Sequence, residues 1–158
     1  IALDVKPYSI CLVPEKRQEI TTEGGLDVAG QLDKVTEFIK PLFDAGIIVS
    51  LFIDPDEEQV KAAAKTGAQF IEMHTGAYAE SFGYKEEEEE FQKLKKSAEL
   101  AQSLGLKVNA GHGLNYENVH RMHEIEGLHE LNIGHSIISR AVFTGLAEAV
   151  GKMKSLIE

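Results

Sequence analysis

The residues best suited to chemistry fall in two short stretches, "NAGHGL" (Asn109 to Leu114) and "LNIGHSII" (Leu131 to Ile138). Each sets a histidine directly after a glycine at the end of an apolar run. An imidazole gives or takes a proton near neutral pH, and a neighbouring glycine lets a ligand approach the main chain closely. In the first stretch His112, between Gly111 and Gly113, reads as a proton-transfer group. A loop histidine in a tight turn would show the same spacing. In the second, Gly134, His135 and Ser136 lead into a helical pattern whose first N–H groups suit a phosphate. There the bland alternatives are Ser136 as an N-cap and His135 as a packing residue.

A third candidate is Glu72 in "QFIEMH". Glu72 and His74 are two residues apart, so on a strand they share a face. A carboxylate turned into a protein interior is costly unless it is paired or hydrogen-bonded. It is either an internal structural ion-pair partner or a functional carboxylate. The loop "EKRQEITTEGG" adds Lys16, Arg17, Thr21 and Thr22, able to bind phosphate or sugar oxygens or simply to lie solvated. His120, His123 and His129 have no cysteine or carboxylate frame of zinc type and read as surface or packing residues. Cys11, inside an apolar run, reads as an inert buried thiol. No P-loop or dinucleotide fingerprint occurs.

These groups need elements that bring them together. Five short apolar runs read as strands: 8–13, 47–53, 69–74, 107–111 and 130–135. Near-continuous apolar character suits strands of a parallel sheet. Helical patterns alternate with them: 27–46, with Pro41 expected to bend or interrupt it; 54–67; 85–105; a shorter one at 115–127; and a last one from 136 to the end. The phrases "DAGIIVSLFID" and "SLGLKVNAGHG" each feed a glycine helix stop straight into a strand. The run Glu86–Glu90 reads as a solvated helix start in which Glu89 meets Lys93 one turn on. The order is an α/β fold of five β/α units, either an open sheet or part of a (β/α)8 TIM barrel, which commonly takes about 250 residues. With no Pro- or Ser-rich linker, residues 1–158 read as one partial barrel domain. In such folds ligands meet the carboxyl ends of the strands, where Asp54, Glu72, His74, Asn109, His112, Asn132 and His135 all fall.

Composition narrows the partners. With 43% hydrophobic residues among 158, the chain can build a real core. A net charge of −10 disfavours nucleic acid but leaves room for phosphorylated small molecules. One cysteine excludes an internal disulfide and fits a reducing, cytoplasmic setting. No stretch approaches the roughly 18 apolar residues of a membrane span, so no membrane partner is expected, and the first residues do not read as a secretory signal.

The segments "CLVPEKRQEITTEGGLDVAGQ", "GAQFIEMHTGAYA", "LGLKVNAGHGLNYENV" and "HELNIGHSIISRAVFTGL" together resemble the carboxyl-terminal two-thirds of the pyridoxine 5′-phosphate synthase family. The resemblance implies a (β/α)8 barrel assembled as a homo-octamer, with neither metal nor organic cofactor. It implies condensation of 3-amino-2-oxopropyl phosphate with 1-deoxy-D-xylulose 5-phosphate to pyridoxine 5′-phosphate, phosphate and water. By the same resemblance His112 is a proton donor and Glu72 a carboxylate stabilising cationic intermediates. Gly113, Gly134 and His135 contact the amino-ketone phosphate, and Thr21 contacts the deoxyxylulose phosphate. The family's first three strands, with further catalytic and phosphate-gripping residues, have no counterpart in this sequence, so the 158-residue segment alone is expected to lack the complete activity. Two alternatives remain: a non-catalytic barrel remnant that binds a phosphorylated ligand, and another phosphosugar barrel enzyme. A Schiff-base aldolase wants a lysine at a strand's carboxyl end, and Lys107 opens its strand instead.

Overall fold

The computed structural model describes residues 1–14 and 24–157. A one-turn helix, α1 (Ala2–Val5), precedes strand β1 (Ser9–Leu12). Then come α2 (Leu32–Asp44), β2 (Ile48–Ile53), α3 (Glu57–Thr66), β3 (Phe70–His74), α4 (Gly76–Ser81), α5 (Glu87–Ser103) and β4 (Lys107–Gly111). A 3₁₀ turn (Val119–Glu124), β5 (Leu128–Asn132), α6 (His135–Thr144) and α7 (Leu146–Lys154) follow. The strands pair in parallel in the order β1-β2-β3-β4-β5. The fold is therefore α/β, with five β/α units of the (β/α)8 barrel type.

Residue alternation divides the sheet into two unlike faces. Val49, Leu51, Ile53, Ile71, Met73, Val108 and Ala110 are buried in the core with Ile39 of α2, Val60 of α3, and Phe91 and Leu94 of α5. Full burial of each such side chain contributes roughly 1.5–3 kcal/mol. The opposite face carries Ser50, Glu72, Asn109 and Asn132, which line a hollow with Cys11. Registers Phe52↔Glu72↔Asn109 place the carboxylate in the middle of that face.

Local chemistry sets most boundaries. The Asp56 carboxylate caps α3 by accepting from the Glu58 and Gln59 N–H groups. Gly46 and Gly105 take positive φ (76° and 86°) and turn helices into strands. Lys93 pairs with Glu89 at 3.1 Å and with Glu90 at 2.7 Å.

Several expectations are corrected. Of the two outcomes expected at Pro41, a bend or an interruption, interruption does not occur: the residue lies inside α2 without ending it. Its missing N–H bond would have gone to the Glu37 carbonyl, and both residues face solvent. The last helical pattern is two helices, broken at Gly145, whose φ of 83° and ψ of 154° leave the helix. The short helix expected at 115–127 is a 3₁₀ turn, and α4 was not anticipated. β5 runs over 128–132 and not 130–135, so Gly134 and His135 lie beyond the strand. Cys11 is exposed on edge strand β1, not buried. Crowding by its surroundings, then the Glu72 charge, still push its thiol up to about 12, so it stays neutral. His120 stands edge-on to Phe82 at 6.0 Å, and His129 packs against Phe70 at 5.3 Å.

Candidate active site

At the carboxyl ends of the strands lies a cavity of about 550 Å³. Its lining includes Glu72, His112, Gly113, Asn132, Gly134 and His135. Five of the six residues picked from the sequence thus share one space. The sixth, Thr21, lies outside the described residues, as do Lys16, Arg17 and Thr22.

Glu72 reaches the cavity from the middle of β3. Asn132, at the end of β5, donates from Nδ2 to Glu72 Oε2 at 2.8 Å, across the intervening β4. Gly111 makes that reach possible. A Cβ there would lie 2.6 Å from Glu72 Oε1 and 2.8 Å from the Asn132 carbonyl oxygen. Burial pushes the Glu72 carboxyl above the ordinary carboxylate range, opposed by hydrogen bonds from Cys11 and Asn132, while Glu130 adds to the rise.

His112 follows β4 directly, and its backbone is the strained one. Its φ is +87°, rare for a residue with a side chain. Such a conformation costs of order 1–3 kcal/mol and persists only where neighbours enforce it. Thr75, fully buried, does so. Its N–H donates to the Gly111 carbonyl at 2.9 Å. Its hydroxyl lies 2.8 Å from that oxygen and 2.5 Å from the His112 carbonyl oxygen. The two flanking glycines differ in what they contribute. Gly113 takes a positive φ (+75°), but Gly111 supplies space and His112 carries the strain itself. Among the described residues none hydrogen-bonds the His112 imidazole. Desolvation lowers its pKa, the neighbouring His74 lowers it further, and Glu80 opposes both.

The third wall is the start of α6. Gly134 is the cap residue, with no side-chain cap bond. Ser136 is not the N-cap: its hydroxyl donates to the Leu114 carbonyl at 2.9 Å. The first N–H groups of α6, at His135 and Ser136, therefore keep no intrahelical acceptor, and both residues line the cavity. A Cβ built on Gly134 meets nothing within 4 Å.

Asp54 and His74, placed at strand ends by the sequence without a role of their own, meet beside His112. Asp54, just past β2, accepts from His74 Nδ1 at 3.0 Å and from the Gly25 N–H at 3.0 Å. The His74 ring stands edge-on to His112, with centroids 4.8 Å apart. The available signal was that both close neighbouring parallel strands.

A model of the pyridoxal phosphate biosynthesis protein PdxJ family matches residues 1–158, the whole sequence. The chain belongs to the PdxJ family. It is 56% identical over 158 residues to the pyridoxine 5′-phosphate synthase of Geotalea daltonii, covering 100% of this chain and 66% of that protein. It is 57% identical over 157 residues to the pyridoxine 5′-phosphate synthase of a Sulfurihydrogenibium species, covering 99% of this chain and 64% of that protein. It thus spans slightly less than two thirds of the length of these PdxJ-family relatives. No helix among the described residues is long and apolar enough to cross a membrane.

Proposed function

We propose that this chain is the carboxyl-terminal part, one barrel-type domain, of a pyridoxine 5′-phosphate synthase. The full protein would condense 3-amino-2-oxopropyl phosphate with 1-deoxy-D-xylulose 5-phosphate and release phosphate and water. The observation that carries the reading is the convergence of Glu72, His112, Gly113, Gly134 and His135 on one cavity, in a chain whose relatives carry that enzyme's name.

The geometry is consistent with a division of labour. The start of α6, with Gly134 and His135, receives the amino-ketone phosphate: open N–H groups and the helix dipole favour an anion there, and no side chain on Gly134 blocks it. Gly113 forms the adjoining wall. Glu72 faces the same space, held by Asn132. A preorganised carboxylate in a partly dry pocket stabilises a protonated amine or imine far better than water does. His112 hands protons to departing oxygens. Burial and the neighbouring His74 favour the neutral imidazole, and the negative charge of a seated phosphate raises its proton affinity when the donor is needed. Thr21 contacts the deoxyxylulose phosphate, a role supported by resemblance alone. A cytoplasmic homo-octamer working without a cofactor accords with the same resemblance.

The test uses the full-length gene product with both substrates and mass spectrometry for pyridoxine 5′-phosphate. We expect product from the wild type. His112→Asn should bind both phosphates nearly as before and turn over about 10²–10⁴-fold more slowly. Binding without product in the wild type would instead identify a ligand-binding barrel. Equal losses of binding and turnover in the variant would remove His112 from the donor role.

A further inference from the structure

The Asp54–His74 pair has no place in that division of labour, yet it is built into the site. His74 is nearly buried, with a side-chain exposure of 11%, while Asp54 beside it is half exposed. Phe52 packs on the His74 ring at 5.2 Å on one side, and His112 meets it at 4.8 Å on another. Its Nδ1 has the Asp54 carboxylate for a partner; its Nε2 is buried with none. A Cβ added to Gly76 would lie 2.6 Å from that Nε2 and 3.3 Å from His112 Cδ2. Three groups therefore meet in a space too small for a methyl.

These contacts fix a tautomer. An ionised carboxylate can only accept, so the proton sits on Nδ1 and Nε2 is a bare lone pair. The other tautomer would drive an N–H into the gap between Gly76 and His112, as a buried donor with no acceptor. The hydrogen bond from His74 holds the Asp54 carboxyl below its usual range, which keeps it the acceptor this requires. We propose that Asp54 and His74 are positioning residues for His112: the carboxylate fixes the ring and tautomer of His74, and the edge of that ring aims the His112 imidazole into the cavity. The same Asp54 oxygen takes the Gly25 N–H, so this anchor also ties down the chain at Gly25.

The inference rests on His112 being the proton donor, and its test separates the two. In the full-length gene product with ¹⁵N-labelled histidine, His74 should show a protonated Nδ1 and a bare Nε2. Asp54→Asn can keep an acceptor for the Gly25 N–H but removes the charge that holds the His74 Nδ1 proton, so the His74 tautomer populations and with them the His112 ring resonances should shift. Asp54→Asn and His74→Ala should each lower kcat about tenfold while KM changes less than about twofold, the mark of lost orientation rather than lost binding. His74→Phe, which keeps a ring edge against His112, should recover most of what His74→Ala loses. Unmoved His112 resonances in Asp54→Asn, or an unchanged kcat where His112→Asn is inactive, would overturn the proposal and leave the synthase reading standing. If the wild type forms no product, the synthase reading falls, and the resonances alone decide the pair.

Discussion

The two Gly-His pairs look alike in sequence and are built in opposite ways. At Gly111-His112 every atom is constrained by the chain itself: a positive φ on the histidine, a buried threonine on two carbonyls, a glycine whose Cβ has no room. At Gly134-His135 almost nothing is constrained. Gly134 has an ordinary φ of −108° and open space around it, and His135 is exposed at the first turn of a helix with no buried residue. A proton donor must be held to a fraction of an ångström in line with the bond it serves. An anion on helix N–H groups is held by the anion's own charge. The strain at the first pair and the vacancy at the second therefore fit a donor and a phosphate seat.

Alanine at each glycine breaks the comparison most directly. Gly111→Ala pushes a methyl into Glu72 Oε1 and the Asn132 backbone. It should destabilise the protein by about 1–3 kcal/mol, as overpacking does, and displace Glu72 enough to impair turnover. Gly134→Ala should cost less than about 1 kcal/mol, the usual scale for a cap position, and act on phosphate binding alone. Thermal melts of both variants, with inorganic phosphate binding by calorimetry, read the contrast. Comparable destabilisation by the two would mean that the second pair is as tightly built as the first.

Much of this was legible in the sequence, and two of the strand-level misses share a cause. Apolar runs flanked by glycine helix stops placed β2, β3 and β4 almost to the residue, because those strands lie inside the sheet and bury one face fully. β5 is an edge strand of alternating character, "LHELN". Its apolar signal is diluted, and the expectation slid on to the Gly-His pair beyond it. Cys11 is exposed because β1 pairs only with β2 among the described strands, which an apolar run in the sequence cannot show. The strain on His112 was invisible because glycines on both sides seemed to account for any unusual angle. Asp54 and His74 are 20 residues apart and meet only because β2 and β3 lie side by side.

A smaller effect sharpens the first region further. Glu72 has its folded pKa raised by burial, whereas an unfolded glutamate titrates near pH 4.3, roughly. Its contribution to stability is thus fully present below the unfolded value and is lost as pH rises through the folded one. Glu72→Gln keeps an acceptor for Asn132 and removes that loss. The variant should melt with the wild type in acid and above it at pH near 8, about where both forms are fully settled, while synthesis falls. A variant melting lower at high pH would make Glu72 a structural partner, the reading in which its charge supports the fold.

The smallest change tests whether the two regions are independent. Ser136, in the first turn of α6, donates its hydroxyl to the carbonyl of Leu114, two residues past His112. It is a direct hydrogen bond from the proposed phosphate side to the proposed donor side. Ser136→Ala removes one neutral bond, worth about 0.5–1.5 kcal/mol, and leaves Gly134, His135 and the helix amides in place. If the donor is held by Thr75 and the pair beside it, kcat should change little, and the loss should appear in stability and in a modestly weaker grip on phosphate. A double-mutant cycle of Ser136→Ala with His74→Phe, read in kcat, should then be additive. Coupling between them would show that the rigid region borrows part of its rigidity from the open one.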